Sequence, residues 1–191
     1  MPDFPVIEFV LSDFYDDTPE VLDSMIEYDY KWGQYDKVFI DDNQNKNVKD
    51  SHKFKEILKK YYLPLKNVFL VLQSESVDLK NIEIKQFADF CSKICIFDKE
   101  FKPEDLAKCY LDSNTDEDVR LNRNEFIGAL IRMAMFKYRD SGKMDTISKS
   151  FEKLLLEDIL NRSQIAQGIY FRHKNVTEST LEIFSNNDDN L

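Results

Sequence analysis

Between Leu111 and Leu130 the chain reads LDSNTDEDVRLNRNEFIGAL, a run of oxygen-bearing side chains that gives way at Glu125-Phe126 to apolar helical periodicity. Asn114, Asp116 and Asp118 alternate, and Asn122 and Glu125 follow at the far end. Hard carboxylate and amide oxygens in such a run suit a hard cation, Ca²⁺ above all. A second frame begins at Asp112, so that Asp112, Asn114 and Asp116 alternate. It seats Tyr110 and Leu111 better as the apolar end of an entering helix, but it makes the loop two residues longer on the way to Glu125. Either frame calls for a helix, an acidic loop and a second helix.

Other chemistry-bearing residues are weaker. Asp41, Asn43, Asn45 and Asn47 also alternate, but His52 stands where a closing carboxylate is needed, so this stretch reads as a solvated connecting loop. Cys91 and Cys95 lie one helical turn apart with no second Cys/His pair nearby, the only histidines being His52 and His173. Structural zinc wants four such ligands, so these are read as core or surface thiols. No Gly-rich phosphate loop, nucleophile elbow or HExxH is present, and the chain reads as a non-enzyme.

Composition narrows the partners. With 36 acids against 26 bases the net charge is −10, and no basic stripe exists to engage nucleic acid or an anionic membrane. Other proteins are the expected partners, a basic helix or groove being the natural complement. The three cysteines form an odd, sparse set, Met1–Leu11 has acids where a signal peptide carries bases, and no apolar run approaches membrane-spanning length. An intracellular protein is expected.

The elements that must position the loop are helical. A chain of 191 residues with 13% aromatics, 4 Gly and 5 Pro supports a substantial, mostly helical core. Residues 1–12 read as an extended, Pro-interrupted arm. Thr18-Pro19-Glu20 opens a helix with Val21, Leu22, Met25, Ile26 and Tyr28 as its apolar residues and Gly33 as its end. Ser51 is expected to cap a helix running to about Tyr62, with Pro64 kinking or restarting it. Glu83–Phe97 and a segment beginning at Pro103 read as helices, and Asn122 with Glu125 has capping-box spacing. The helix after Glu125 carries Phe126, Met133, Met135 and Phe136 on a face that suits core packing better than a partner-binding wall. Asp145 or Thr146 caps a helix bearing Ile147, Phe151, Leu154, Leu155 and Ile159. Helices around Gln164–Phe171 and Thr177–Phe184 and a polar tail follow.

Aligning Phe87 with Phe126 sets Ile82 opposite Leu121 and Gln86 opposite Glu125, an offset of 39 residues. The first half then offers Glu75, Val77 and Leu79 where the second offers oxygens, which cannot bind calcium.

From Asn114 to Phe126, and more loosely over Pro64–Tyr138, the chain resembles the EF-hand superfamily. The resemblance places Asn114, Asp116, Asp118, the Arg120 carbonyl, Asn122 and Glu125 at the calcium-ligand positions, with Val119 where the loop turn wants glycine. It also implies that Ile82 and Leu121 join the two loops in a short antiparallel bridge. LNRNEFIGALIRMAMFKY followed by ISKSFEKLLLEDIL and IYFRHKNV is similar to EF-hand-like helical modules of large ciliary and flagellar proteins. That similarity implies a structural role in an axoneme or a related microtubule-based, cytoskeletal assembly. The expected fold is all-α: an EF-hand-like helix–loop–helix pair with flanking helices. Residues 1–50 form an arm, helix and polar loop, 51–142 the paired unit and 143–191 a helical extension. The expected function is that of a protein-binding scaffold, the alternative a calcium sensor of the calmodulin type.

Overall fold

Helix α1, Pro19–Trp32, starts as its residue types demand: Thr18 Oγ1 accepts the Val21 N–H, and Pro19 fills the first turn. Gly33 ends it by close approach, since a Cβ there would lie 2.1 Å from the Tyr35 ring. The left-handed turn falls on the next residue, Gln34, with φ 50°. Leu22, Met25 and Ile26 face the core as expected, but Tyr28 does not: it is exposed, and Asp29 takes the buried position one residue on. A short 3₁₀ turn, Tyr35–Phe39, follows.

The computed structural model describes residues 17–40, 47–77, 79–115 and 119–162. The expected arm over residues 1–12, the alternating Asp41, Asn43 and Asn45, the helices expected around Gln164–Phe171 and Thr177–Phe184, and the tail lie outside the described residues.

Helix α2 runs unbroken from Val48 to Ser74. Its cap is Asn47, whose side chain accepts the Asp50 N–H at 3.1 Å; Ser51 is already inside the helix and buried. Pro64 neither stops nor restarts it. A mid-helix proline costs about 3 kcal/mol. The buried run of Tyr61, Tyr62, Leu65, Val68 and Phe69 around it offsets that cost, each such side chain contributing about 1.5–3 kcal/mol.

Four further helices complete the described core: α3, Ile84–Lys93; α4, Pro103–Leu111; α5, Arg123–Ala134; and α6, Ile147–Lys153. The helix expected over Glu83–Phe97 is thus the shorter α3. Helix α5 continues as a π-helical stretch, Met135–Arg139, and α6 as another, Leu154–Leu160. The described residues are all-α, with one isolated bridge between Ile82 and Leu121 in place of strands. No helix among them is long and apolar enough to cross a membrane.

The core centres on Phe54, whose ring lies 5.0 Å from that of Phe151 on α6 and 5.3 Å from that of Phe39. Helix α6 packs on α2 and α5, burying Phe151, Leu154, Leu155 and Ile159. Met133 is fully buried in the same core, with Met135 and Phe136 packed at its edge. Side-chain bonds fix both ends of this C-terminal element. At its start, Asp50 accepts the N–H of Ile147 at 3.0 Å and both the N–H and hydroxyl of Ser148. Thr146 supplies the helix's own cap. Toward its end, buried Asp158 accepts the Tyr138 hydroxyl at 2.5 Å, and Lys137 beside it donates to the Ile96 carbonyl at 2.6 Å.

Candidate functional site

Two loops lie side by side, one between α2 and α3, the other between α4 and α5. The backbone N–H of Ile82 donates to Leu121 O at 2.8 Å, and that of Leu121 returns to Ile82 O at 2.9 Å. Beneath this bridge the rings of Phe87 and Phe126 meet edge to face at 5.9 Å, so two residue pairs with the same sequence offset touch across the junction. Tyr110, buried at the end of α4, clamps the arrangement. Its hydroxyl lies 2.9 Å from both the Ile82 and the Val119 carbonyls. Its neighbour Leu111 points to solvent.

Val119 has φ 61°, in the left-handed region that β-branched residues avoid. Counted from Asn114 it is sixth, and bridged Leu121 is eighth. Leu79 of the first loop is also left-handed, at φ 53°. The turn that glycine would make is therefore made by valine, under strain, instead of being replaced by another path.

Around that turn the polar side chains satisfy one another. Glu125 closes a capping box with Asn122: its Oε2 accepts the Asn122 N–H at 3.0 Å, while Asn122 Oδ1 accepts the Glu125 N–H at 3.1 Å. Glu125 Oε1 accepts both the backbone N–H and the hydroxyl of Thr115, each at 2.6 Å. Asn114 turns its amide nitrogen to the Arg120 carbonyl at 2.8 Å. Of the six candidate ligands, Asn114, Arg120, Asn122 and Glu125 are thus brought together; Asp116 and Asp118 lie outside the described residues.

The four described positions do not fit a cation as they are arranged. Both Glu125 oxygens face N–H or O–H donors, and an amide donor covers the Arg120 carbonyl. A calcium ion would need Thr115 and Asn114 to release these contacts. Among the described residues no three His, Cys, Asp or Glu side chains cluster in a metal-holding arrangement. Cys91 and Cys109 are buried and Cys95 is exposed, all three as free thiols.

No protein-family model, no curated protein and no solved structure matches this chain. Its geometry alone speaks for function.

The loop is also held from outside. Asp29 of α1, 1% exposed, receives Arg123 Nε at 2.7 Å, Arg123 Nη2 at 3.2 Å and the Tyr62 hydroxyl at 2.5 Å. Tyr35 donates its hydroxyl to Asn124 O at 2.6 Å. Burial, reinforced by the Asp29 carboxylate, pushes both phenols well above their ordinary range, so they act as fixed donors. The sequence carries half of this signal: an aspartate at the helical spacing of Leu22, Met25 and Ile26 must be buried and therefore paired. Its partner, 94 residues away, leaves no local trace.

Gln86, aligned with Glu125, does the opposite job. Its amide nitrogen donates to Glu75 O at 3.2 Å, and its buried oxygen has no hydrogen-bond partner among the described residues. A carboxylate gathers donors at one loop; an amide reaches for a carbonyl at the other.

Proposed function

We propose that this chain is a non-enzymatic scaffold whose EF-hand-like loop pair is closed by its own hydrogen bonds and serves to present a fixed surface to protein partners. One observation carries the reading: Glu125, at the position where a calcium loop would spend its closing carboxylate on the ion, is committed to Thr115 and Asn122. The bridge at Ile82 and Leu121 and the Phe87–Phe126 contact support the EF-hand-like pairing. Buried Met133, with α6 packed on α5, supports a filled core over an openable groove. The likeness of Leu121–Leu160 to modules of ciliary and flagellar proteins makes a microtubule-based assembly the proposed setting.

A calcium sensor is the second reading, and the left-handed Val119 favours it, because the backbone already makes the turn such a loop uses. Thermal melts in chelator and in excess calcium separate the two. A scaffold gives superimposable curves. A sensor gains stability by mass action, about 2.7 kcal/mol when calcium stands at a hundred times its dissociation constant.

A further inference from the structure

Where α1 meets the two loops there is a cleft of about 400 Å³, lined by Tyr28 and Trp32 of α1, Phe69 of α2, Lys80 of the first loop and Arg123 of α5. Tyr28 and Trp32 stand one helical turn apart with ring centroids at 6.0 Å, and they are 57% and 56% exposed. An outward-facing Trp–Tyr pair beside an arginine is the composition of an interface anchor, where rigid rings give contact area at small entropic cost.

Charge decides what kind of segment fits. Asp29 is the acid among the lining residues, and it is buried against Arg123 and Tyr62. Lys80 and Arg123 face the cleft, and the Lys31 ammonium stands 5.7 Å above the Trp32 ring. In a chain of net charge −10 this cleft is locally cationic. A basic segment would meet three cations and no accessible carboxylate among the lining residues. An acidic one would meet complementary charge.

We infer that the cleft docks an acidic segment of a partner protein, seating an aromatic or large aliphatic side chain against Tyr28, Trp32 and Phe69 with its carboxylates toward Lys31 and Lys80. The inference rests on the scaffold reading only in taking the occupant to be a protein.

Trp32 is the chain's one tryptophan, so its emission reports on the cleft directly. The full chain is titrated with an acetylated, amidated peptide of alternating Asp/Glu and Phe, and with a twin carrying Lys in place of the acids. The acidic peptide should give a saturable change at least about tenfold tighter than its twin, weakened by salt. Lys80→Glu, which keeps the reporter, should weaken it about fivefold or more. Calorimetry on Tyr28→Ala, with circular dichroism confirming its fold, should show the same loss. No saturable change, equal or tighter binding of the lysine twin, or an unaffected Lys80→Glu would overturn the inference. So would concentration-dependent dimerisation that buries Trp32 without peptide. Peptide binding that calcium abolishes would count against the scaffold reading and leave the cleft's assignment intact.

Discussion

Glu125 takes two hydrogen bonds from Thr115, one from the backbone N–H and one from the hydroxyl, both at 2.6 Å. They span ten residues and tie the start of the acidic loop to the helix that ends it. Thr115→Val keeps the shape and removes the hydroxyl donor. The expected loss is about 1–2 kcal/mol, the range for a hydrogen bond to a charged acceptor, read from urea unfolding in chelator.

Val119 holds a left-handed backbone at 62% exposure, so its side chain gains little from packing. Val119→Gly relieves the Cβ clash, and glycine's greater freedom in the unfolded chain takes back part of the gain. A net stabilisation of about 1 kcal/mol is expected as a higher urea midpoint at unchanged slope.

Asp50 links two helix starts: its N–H is capped by Asn47, and its carboxylate caps α6 through Ile147 and Ser148. Asp50→Ala should cost about 2 kcal/mol, because it leaves buried N–H groups unsatisfied, while Ser148→Ala should cost about half of that. Stabilities of both variants and their double mutant check the coupling.

Local chemistry made much of the fold legible. The Thr18-Pro19 start, the Asn122–Glu125 capping box and the Thr146 cap depend on residues within a turn of one another, and all are present. The Ile82–Leu121 bridge was readable because an offset repeat fixes a long-range pair from spacing alone. What failed depended on tertiary packing. Pro64 reads as a breaker until the aromatic and aliphatic face around it is seen to be buried. Tyr28 reads as core because helical spacing does not separate it from Asp29, and Arg123 decides which of them turns inward. At the loop, the ligand-like residue types were plain, but Thr115 as the donor to Glu125 was not, since threonine at that position carries no pattern of its own.

Burial raises the Cys91 thiol's pKa far above its usual value and pushes that of Cys109 up to about 12. At pH 8 neither should supply thiolate to an alkylating reagent, whereas exposed Cys95 should react. Mass spectrometry of the native chain should find one fast label, on Cys95, and three after unfolding. In the unfolded chain the buried thiols ionise from about pH 8.5, so stability should also decline as pH rises beyond that value.

The most direct test of self-closure is the stability of Glu125→Gln in calcium-free buffer. If the carboxylate serves Thr115 and Asn122, an amide in its place turns an N–H toward donors. The variant should then lose about 2 kcal/mol or more with chelator present, and calcium should shift neither protein. If the carboxylate is instead kept for an ion, the variant should be as stable as the wild type, or more so, in chelator. Calcium would then raise the wild-type melt alone, and the loop would be a binding site after all.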